Sequence, residues 1–320
     1  MTPRMRVRAA LLHIAIIFLI FILQFAIDDY ELLTLGRIIV LAVFATGYNL
    51  LFGYAGLLSL GHAMFFAAGI YGAGLAASFL GWSAGPAFLA GTIAGLVLAL
   101  ALGPLALRTS GVAFMIVTMM FAQMLYLTTL YFNAFTGGDE GFTLSDGVRQ
   151  FSALGSIIHL SDPVARYNLA LLLLAVSLLA SLAIVRSPLG RVLAAIRENE
   201  ERARMLGYDT FRYKLGAVAI SAVMSASAGA AYVLLFAYGG ATFASVQYSI
   251  LPLLWVLLGG AGTILGPLVG TLLMFYLVDI SSEYTSAYLI VVGLALIVLV
   301  LWFPKGILGT LRDRLVPWLP

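Results

Sequence analysis

The sequence has no cysteine, which excludes a disulfide framework, thiolate metal sites and a cysteine nucleophile. Its three histidines, His13, His62 and His159, are scattered, and no His-Glu-x-x-His pair exists to hold a catalytic zinc ion. Lysine is almost as scarce. Lys214 follows Tyr213 and Lys305 follows Pro304, so no Gly-Lys-Ser/Thr is present to cradle a nucleotide's phosphates. Charged residues make up 10% of the 320 residues, against about 25% in a soluble domain. No row of Asp, Glu or His crosses an apolar stretch, as a proton-coupled pump would require. The excess of 17 Lys and Arg over 14 Asp and Glu leaves a net charge of +3, too small to point to a nucleic-acid partner. No cofactor is expected.

Hydrophobic residues, in contrast, make up 62% of the chain, and the mean hydropathy is +1.07. Apolar stretches fall at about 9–27, 37–52, 58–80, 84–107, 111–133, 165–185, 215–238, 249–259, 264–280 and 286–303. They run continuously instead of alternating, which predicts helices and not barrel strands. The expectation is a single all-α polytopic membrane domain over 1–320 with about eight to ten transmembrane helices, since a span needs roughly 20 apolar residues. The run from Ala9 to Ile27 has no small-x-small cleavage site after it and reads as a retained first span.

Two connections are long. Residues 134–164 hold Asp139, Glu140, Asp146 and Asp162 against Arg149, whereas 186–214 hold Arg186, Arg191, Arg197, Arg202, Arg204, Arg212 and Lys214. The positive-inside rule makes the second loop cytoplasmic and the first extracytoplasmic. With Arg4, Arg6 and Arg8 at one end and Lys305, Arg312 and Arg314 at the other, both termini are expected to be cytoplasmic.

Glycines interrupt two apolar stretches: Gly53, Gly56 and Gly61 near 53–61, and Gly259, Gly260, Gly262 and Gly266, with Pro267, near 249–267. Paired helix breaks point to a transport pathway. Close packing is the competing reading, and Gly91-x-x-x-Gly95 and Gly266-x-x-x-Gly270 have the spacing for it. Polar side chains inside apolar spans need a partner or a wet cavity, which makes Tyr48, Asn49, Ser59, His62, Thr118 and Gln123 the candidate pathway residues. For His62 the favoured alternative is a bond to a carbonyl freed by the break.

In the basic loop, Ser187 can cap a helix with Pro188 in its first turn and Gly207 ending it, predicting one helix over about 188–206. Glu198 with Arg202 and Glu200 with Arg204 are favourable i,i+4 pairs. Val192, Ile196, Ala203 and Leu206 fall on roughly one side. Such a helix could lie on anionic headgroups, but its interleaved signs suit a groove in another protein.

This loop, with Gly190-Arg191, Ala195-Ile196-Arg197-Glu198-Asn199-Glu200 and Leu206-Gly207, resembles the cytoplasmic coupling loop of the branched-chain amino acid ABC importer permeases. The resemblance extends to Gly53-Tyr54-Ala55-Gly56-Leu57-Leu58-Ser59-Leu60-Gly61-His62, to Thr136-Gly137-Gly138-Asp139-Glu140-Gly141, to Leu258 through Pro267 and to Phe303-Pro304-Lys305-Gly306. It covers about 36–309 and is nearest to the second of the family's two paired permeases. Two departures stand out: Arg202 occupies a position that is usually alanine, and Phe142-Thr143-Leu144-Ser145 is bulkier than the family's small, Gly- and Ile-rich stretch.

The resemblance implies an inner-membrane transport subunit without an ATPase site of its own. Its partners would be a homologous permease subunit, two ATP-binding subunits and an extracytoplasmic substrate-binding protein. Coupling to the ATPase would then fall to Arg197, Glu198, Asn199, Glu200, Glu201, Ala203 and Gly207. The implied solutes are branched-chain or similar small neutral amino acids, with urea or short amides as the alternative. An ion-coupled secondary carrier is the competing mechanism.

Overall fold

The computed structural model describes residues 3–153 and 156–314, with backbone alone for 3–9, 151–153 and 156–158. The side chains of Arg4, Arg6 and Arg8 lie outside that description.

Each of the ten apolar stretches is helical over most of its length. In chain order the helices are α1 (Pro3–Leu23), α2 (Asp29–Asn49), α3 (Ala63–Leu80), α4 (Ala84–Ala106), α5 (Val112–Tyr131), a short α6 (Asn133–Thr136) and α7 (Pro163–Arg186). They continue with α8 (Pro188–Glu198), α9 (Glu200–Met205), α10 (Thr210–Phe236), α11 (Val246–Gly259), α12 (Gly266–Tyr284), α13 (Tyr288–Trp302) and α14 (Ile307–Arg314). Among the described residues, seven helical segments are long and apolar enough to cross a membrane, and Ala10–Leu23 and Val246–Gly259 are shorter apolar helices. This is an all-α polytopic membrane fold.

Polar residues at the ends of apolar runs set the helix starts. Asp28, Asp162 and Asp209 accept hydrogen bonds from the backbone N–H groups of Glu31, Ala165 and Arg212, and Ser245 from that of Tyr248, meeting donors that a helix start leaves unpaired. The Asp28 cap corrects one expected boundary: α2 begins at residue 29, not near 37, so Arg37 stands two turns inside it.

The acidic connection carries a little strand structure. β1 (Phe142–Thr143) pairs antiparallel with β4 (Tyr238–Gly239), and β2 (Gln150–Ala153) pairs with β3 (Ser156–His159). The loop's single cation is structural. Buried Arg149 donates to the carbonyls of Leu234 at 2.8 Å, Leu235 at 2.7 Å and Leu160 at 3.0 Å, and pairs with Asp146 at 2.9 Å. The guanidinium thus satisfies carbonyls in the last turn of α10, where a cation also meets the negative end of the helix dipole.

Close packing holds the centre. A methyl group at Gly69 would stand 2.0 Å from the Ala226 carbonyl oxygen and one at Gly229 1.9 Å from that of Phe66, so α3 and α10 touch backbone to backbone. The Gly91 and Gly95 pair lets α4 join the same seam, and Gly259 with Gly270 closes the α11–α12 hairpin. Both spacings therefore serve packing. The α11–α12 hairpin also contains the expected second break, because residues 260–265 leave the helix between its arms.

Contacts between elements fix the ends. The Tyr167 hydroxyl donates to the Ile20 carbonyl at 2.6 Å and Asn168 to Gln24 at 3.0 Å, so the close of α1 sits beside the start of α7. α1 therefore starts at the opposite end, where α7 runs into α8. Arg197 of α8 and Arg312 of α14 both reach the 260–265 break. The two described ends of the chain thus lie with α8 and α9 at one end of the bundle.

Candidate functional site

The first break begins where α2 widens. Leu50–Tyr54 form a single π-helical turn, in which Ala55 N–H reaches the Leu50 carbonyl at 3.3 Å. The chain then runs irregularly to Ala63. At this turn the two breaks meet. The Asn49 side-chain amide donates to the Thr263 carbonyl at 2.9 Å and its oxygen accepts from Gly262 N–H at 2.9 Å, so one buried side chain satisfies two backbone groups inside the break between α11 and α12. Gly53 allows this approach, since a methyl group there would fall 2.1 Å from the Asn49 side-chain oxygen and 2.6 Å from Gly262 N. Two arginines close the junction from outside the core. Arg197 of α8 donates to the Gly53 carbonyl, and Arg312 of α14 to the Gly262 carbonyl at 3.2 Å.

The next layer is polar and fully enclosed. The Tyr48 hydroxyl donates to the Ser59 carbonyl at 3.1 Å, and the Thr118 hydroxyl of α5 accepts from Leu60 N–H at 3.2 Å. Ser249 of α11 accepts from Ala63 N–H at 3.0 Å, which caps α3 from a different helix. His62 Nε2 lies 2.8 Å from the Ser225 hydroxyl and 3.1 Å from that of Ser221. Ser225 spends its own proton on the Ser221 carbonyl and Ser221 on the Gly47 carbonyl, so both oxygens can only accept from the imidazole. That fixes the proton on Nε2 and leaves Nδ1, with no hydrogen-bond partner among the described residues, as a bare acceptor. His62 therefore binds two hydroxyls of α10 and not a carbonyl freed by the break.

Five of the six candidate pathway residues, Tyr48, Asn49, Ser59, His62 and Thr118, come together in this column along α2. Gln123 does not join them. It lies on the exposed face of α5 beside Met120, Met124 and Leu127. Sequence reasoning passed over Ser221, Ser225, Ser249, Thr263 and Arg312. The i,i+4 spacing of Ser221 and Ser225 on an otherwise small, apolar helix was a readable sign that both face one neighbour.

The loop between α7 and α10 differs from the single helix expected. It breaks at Asn199, where φ −160° and ψ 103° are extended and the side chain accepts from Arg202 N–H at 2.8 Å to start α9. Glu198 and Arg202 therefore no longer share a helix, and no ion pair joins them among the described residues. Glu200 does pair with Arg204 at 3.3 Å and, more closely, with Lys214 of α10 at 2.7 Å. Gly207 adopts φ +88°, the left-handed end anticipated for it. Val192, Ile196 and Ala203 pack on Tyr213, but Leu206 is not with them: Leu206 is 71% and Met205 84% exposed. Glu198, Asn199 and Glu201 are exposed beside them.

Burial disfavours charge on Glu200, but Lys214 more than compensates and holds the carboxyl below its usual range. With the folded value lowered, the tie between α9 and α10 is complete above the ordinary glutamate value of about 4.3 and is lost as pH falls through the lower folded value. Hydrogen exchange at 200–206, corrected for intrinsic rates, is expected to stay flat from about pH 7 to 5 and to rise only below about pH 4. Glu200→Gln should exchange fast throughout; a rise near pH 6 would contradict the assignment.

A family model described as "Branched-chain amino acid transport system / permease component" matches residues 31–301. The chain is 29% identical over 299 residues to the high-affinity branched-chain amino acid transport system permease protein LivM of Salmonella typhimurium and 28% identical over 299 residues to that of Escherichia coli K12. Each of these matches covers 85% of this chain and 68% of the relative. A probable LivM permease of Methanocaldococcus jannaschii is 37% identical over 90 residues, 28% of this chain and 26% of the relative. No solved structure matches.

Proposed function

Because this chain belongs to the family of branched-chain amino acid transport system permease components, we propose that it is the transmembrane subunit of an ATP-driven importer of branched-chain or similar small neutral amino acids in the inner membrane. A substrate-binding protein would deliver the solute on the side of 134–164, and an ATPase would dock on α8 and α9 at the cytoplasmic end. The observation that carries this reading is the position of α8. Its outer face and the exposed Met205 and Leu206 of α9 and the turn after it are free to seat in a partner, while its inner edge holds the Gly53 carbonyl through Arg197. A displacement of α8 would therefore pull directly on the junction of the two broken helices. Rigid elements that move against a fixed junction are the usual means of alternating access.

The cytoplasmic assignment of α8 rests on the arginines of 186–214 under the positive-inside rule. The pairing with a homologous permease and two ATP-binding subunits rests on the family. The decisive experiment is leucine uptake by the reconstituted assembly. Uptake should require ATP, persist with an uncoupler and fail without the ATPase. Uptake that follows an ion gradient without ATP would replace the importer with a secondary carrier.

A further inference from the structure

We infer that Arg37, Tyr232 and Tyr248 form a receptor for the carboxylate of an amphipathic zwitterion, whose apolar side chain lies against Phe236 and Phe243. The inference rests on the importer reading and adds to it the place where the solute is first held.

Arg37 is the anomaly of α2. The helix packs against α7, α10, α11 and α12, its neighbours Gly36, Ile38, Ile39 and Val40 are buried, and yet Arg37 is exposed. From Glu31 to Asn49 it is the one exposed residue, and its head group turns to Phe236 of α10. It stands eight residues after the start of α2, about 12 Å inside it. A cation at that depth is unfavourable unless an anion or water meets it. Among the described residues no acidic side chain pairs with it. The guanidinium instead lies over the Phe236 ring at 5.4 Å, a cation–π contact that positions it while its N–H donors stay available.

The aromatic side chains around it supply the remaining chemistry. From Phe236 the rings continue to Tyr232 at 5.1 Å, from Tyr232 to Phe243 at 5.0 Å and from Phe243 to Tyr248 at 5.1 Å. Tyr232 thus stands directly beside the ring that carries the guanidinium, with Tyr248 beyond Phe243, and neither hydroxyl has a hydrogen-bond partner among the described residues. A forked guanidinium with two phenolic donors suits a carboxylate, which only accepts. The ring faces suit a branched aliphatic chain and can stack an ammonium group. Phe44 and Phe66, packed against Tyr248 at 6.1 and 5.5 Å, form the floor, and His62 lies beyond Phe44. The receptor thus stands at the head of the polar column and is separated from it by two rings.

The test is equilibrium binding of radiolabelled leucine and of leucinamide, which lacks the carboxylate, to the purified complex of permease and ATPase subunits, without ATP and with the substrate-binding protein left out. Wild type should prefer leucine by about tenfold or more, the worth of one lost charge-assisted bond. Arg37→Gln should abolish that preference by weakening leucine alone, and Tyr232→Phe and Tyr248→Phe should each weaken leucine severalfold, with the subunit composition of the purified complex as the control for folding. Equal affinity for both ligands in wild type would overturn the proposal, as would unchanged leucine binding in Arg37→Gln or equal loss of both ligands. Loss of bound phospholipid or of the partner permease, with leucine binding intact, would reassign Arg37 to an anchoring role and also overturn it. Absence of ATP-dependent uptake bears on the importer reading alone, because the binding contrast needs no transport.

Discussion

Arg197→Ala is expected to leave the assembly intact and hydrolysing ATP while substrate uptake falls by roughly ten- to 150-fold. The estimate follows from the single interaction removed. Arg197 joins α8 to the Gly53 carbonyl at the π-helical turn, and a hydrogen bond from a charged donor contributes about 1.5–3 kcal/mol, each 1.4 kcal/mol being a tenfold change in an equilibrium. Without it, α8 still packs on Tyr213 through Val192, Ile196 and Ala203, so the docking face survives, but its motion no longer reaches the breaks. Arg197→Lys should restore part of the loss, because a lysine can offer one donor to the same carbonyl. The measurement is the ratio of solute moved to ATP hydrolysed in proteoliposomes. An unchanged ratio in Arg197→Ala would mean that α8 transmits through its apolar contacts and that the arginine is incidental.

Asn49→Leu is expected to produce the largest loss of stability of any single substitution in the column. Leucine has the same number of side-chain heavy atoms and is the larger residue, so no cavity confuses the result. It strands the Thr263 carbonyl and the Gly262 N–H, both of which now bond the amide. At about 1–3 kcal/mol for each unsatisfied buried group, the junction should lose roughly 2–6 kcal/mol, read as a lowered midpoint of thermal unfolding of the purified complex. Gln123→Leu is the control. That side chain sits on the exposed face of α5, and its replacement should shift stability by no more than about 0.5 kcal/mol. Equal effects from the two would mean that Asn49 is not the bridge between the breaks.

The spans were legible because an apolar run long enough to cross a bilayer has few alternatives in water or lipid. Their limits were less so. The start of α2 was encoded in Asp28 and the acidic turn after it, but Arg37 interrupted the apolar run, and its accommodation over Phe236 depends on a residue 199 positions away (from 37 to 236). The kink in the basic loop was also encoded. Asn199 followed by Glu200 and Glu201 is a cap with an acidic first turn, yet the i,i+4 pairs on either side argued for continuity. Both breaks were visible as glycines. That they touch through Asn49 was not, because a single sequence does not say which of two distant interruptions share a side chain. The column formed by His62, Ser221 and Ser225 belongs to the same class: each residue was an isolated polar group until the fold placed α10 beside α2.

The glycine seams have a mechanical consequence. Helices whose backbones touch, as α3 does α10 at Gly69 and Gly229, have no side-chain layer in which to slide. Together with α4 they can only tip as one plate, and the α11–α12 hairpin, fused at Gly259 and Gly270, is a second. α2 lies between the two plates like an axle, and its slack is the Leu50–Tyr54 turn. Absorbing the extra residue of that turn into regular helix would swivel everything beyond it by about 100°, carrying the Gly53 backbone away from Gly262 and from Arg197 of α8.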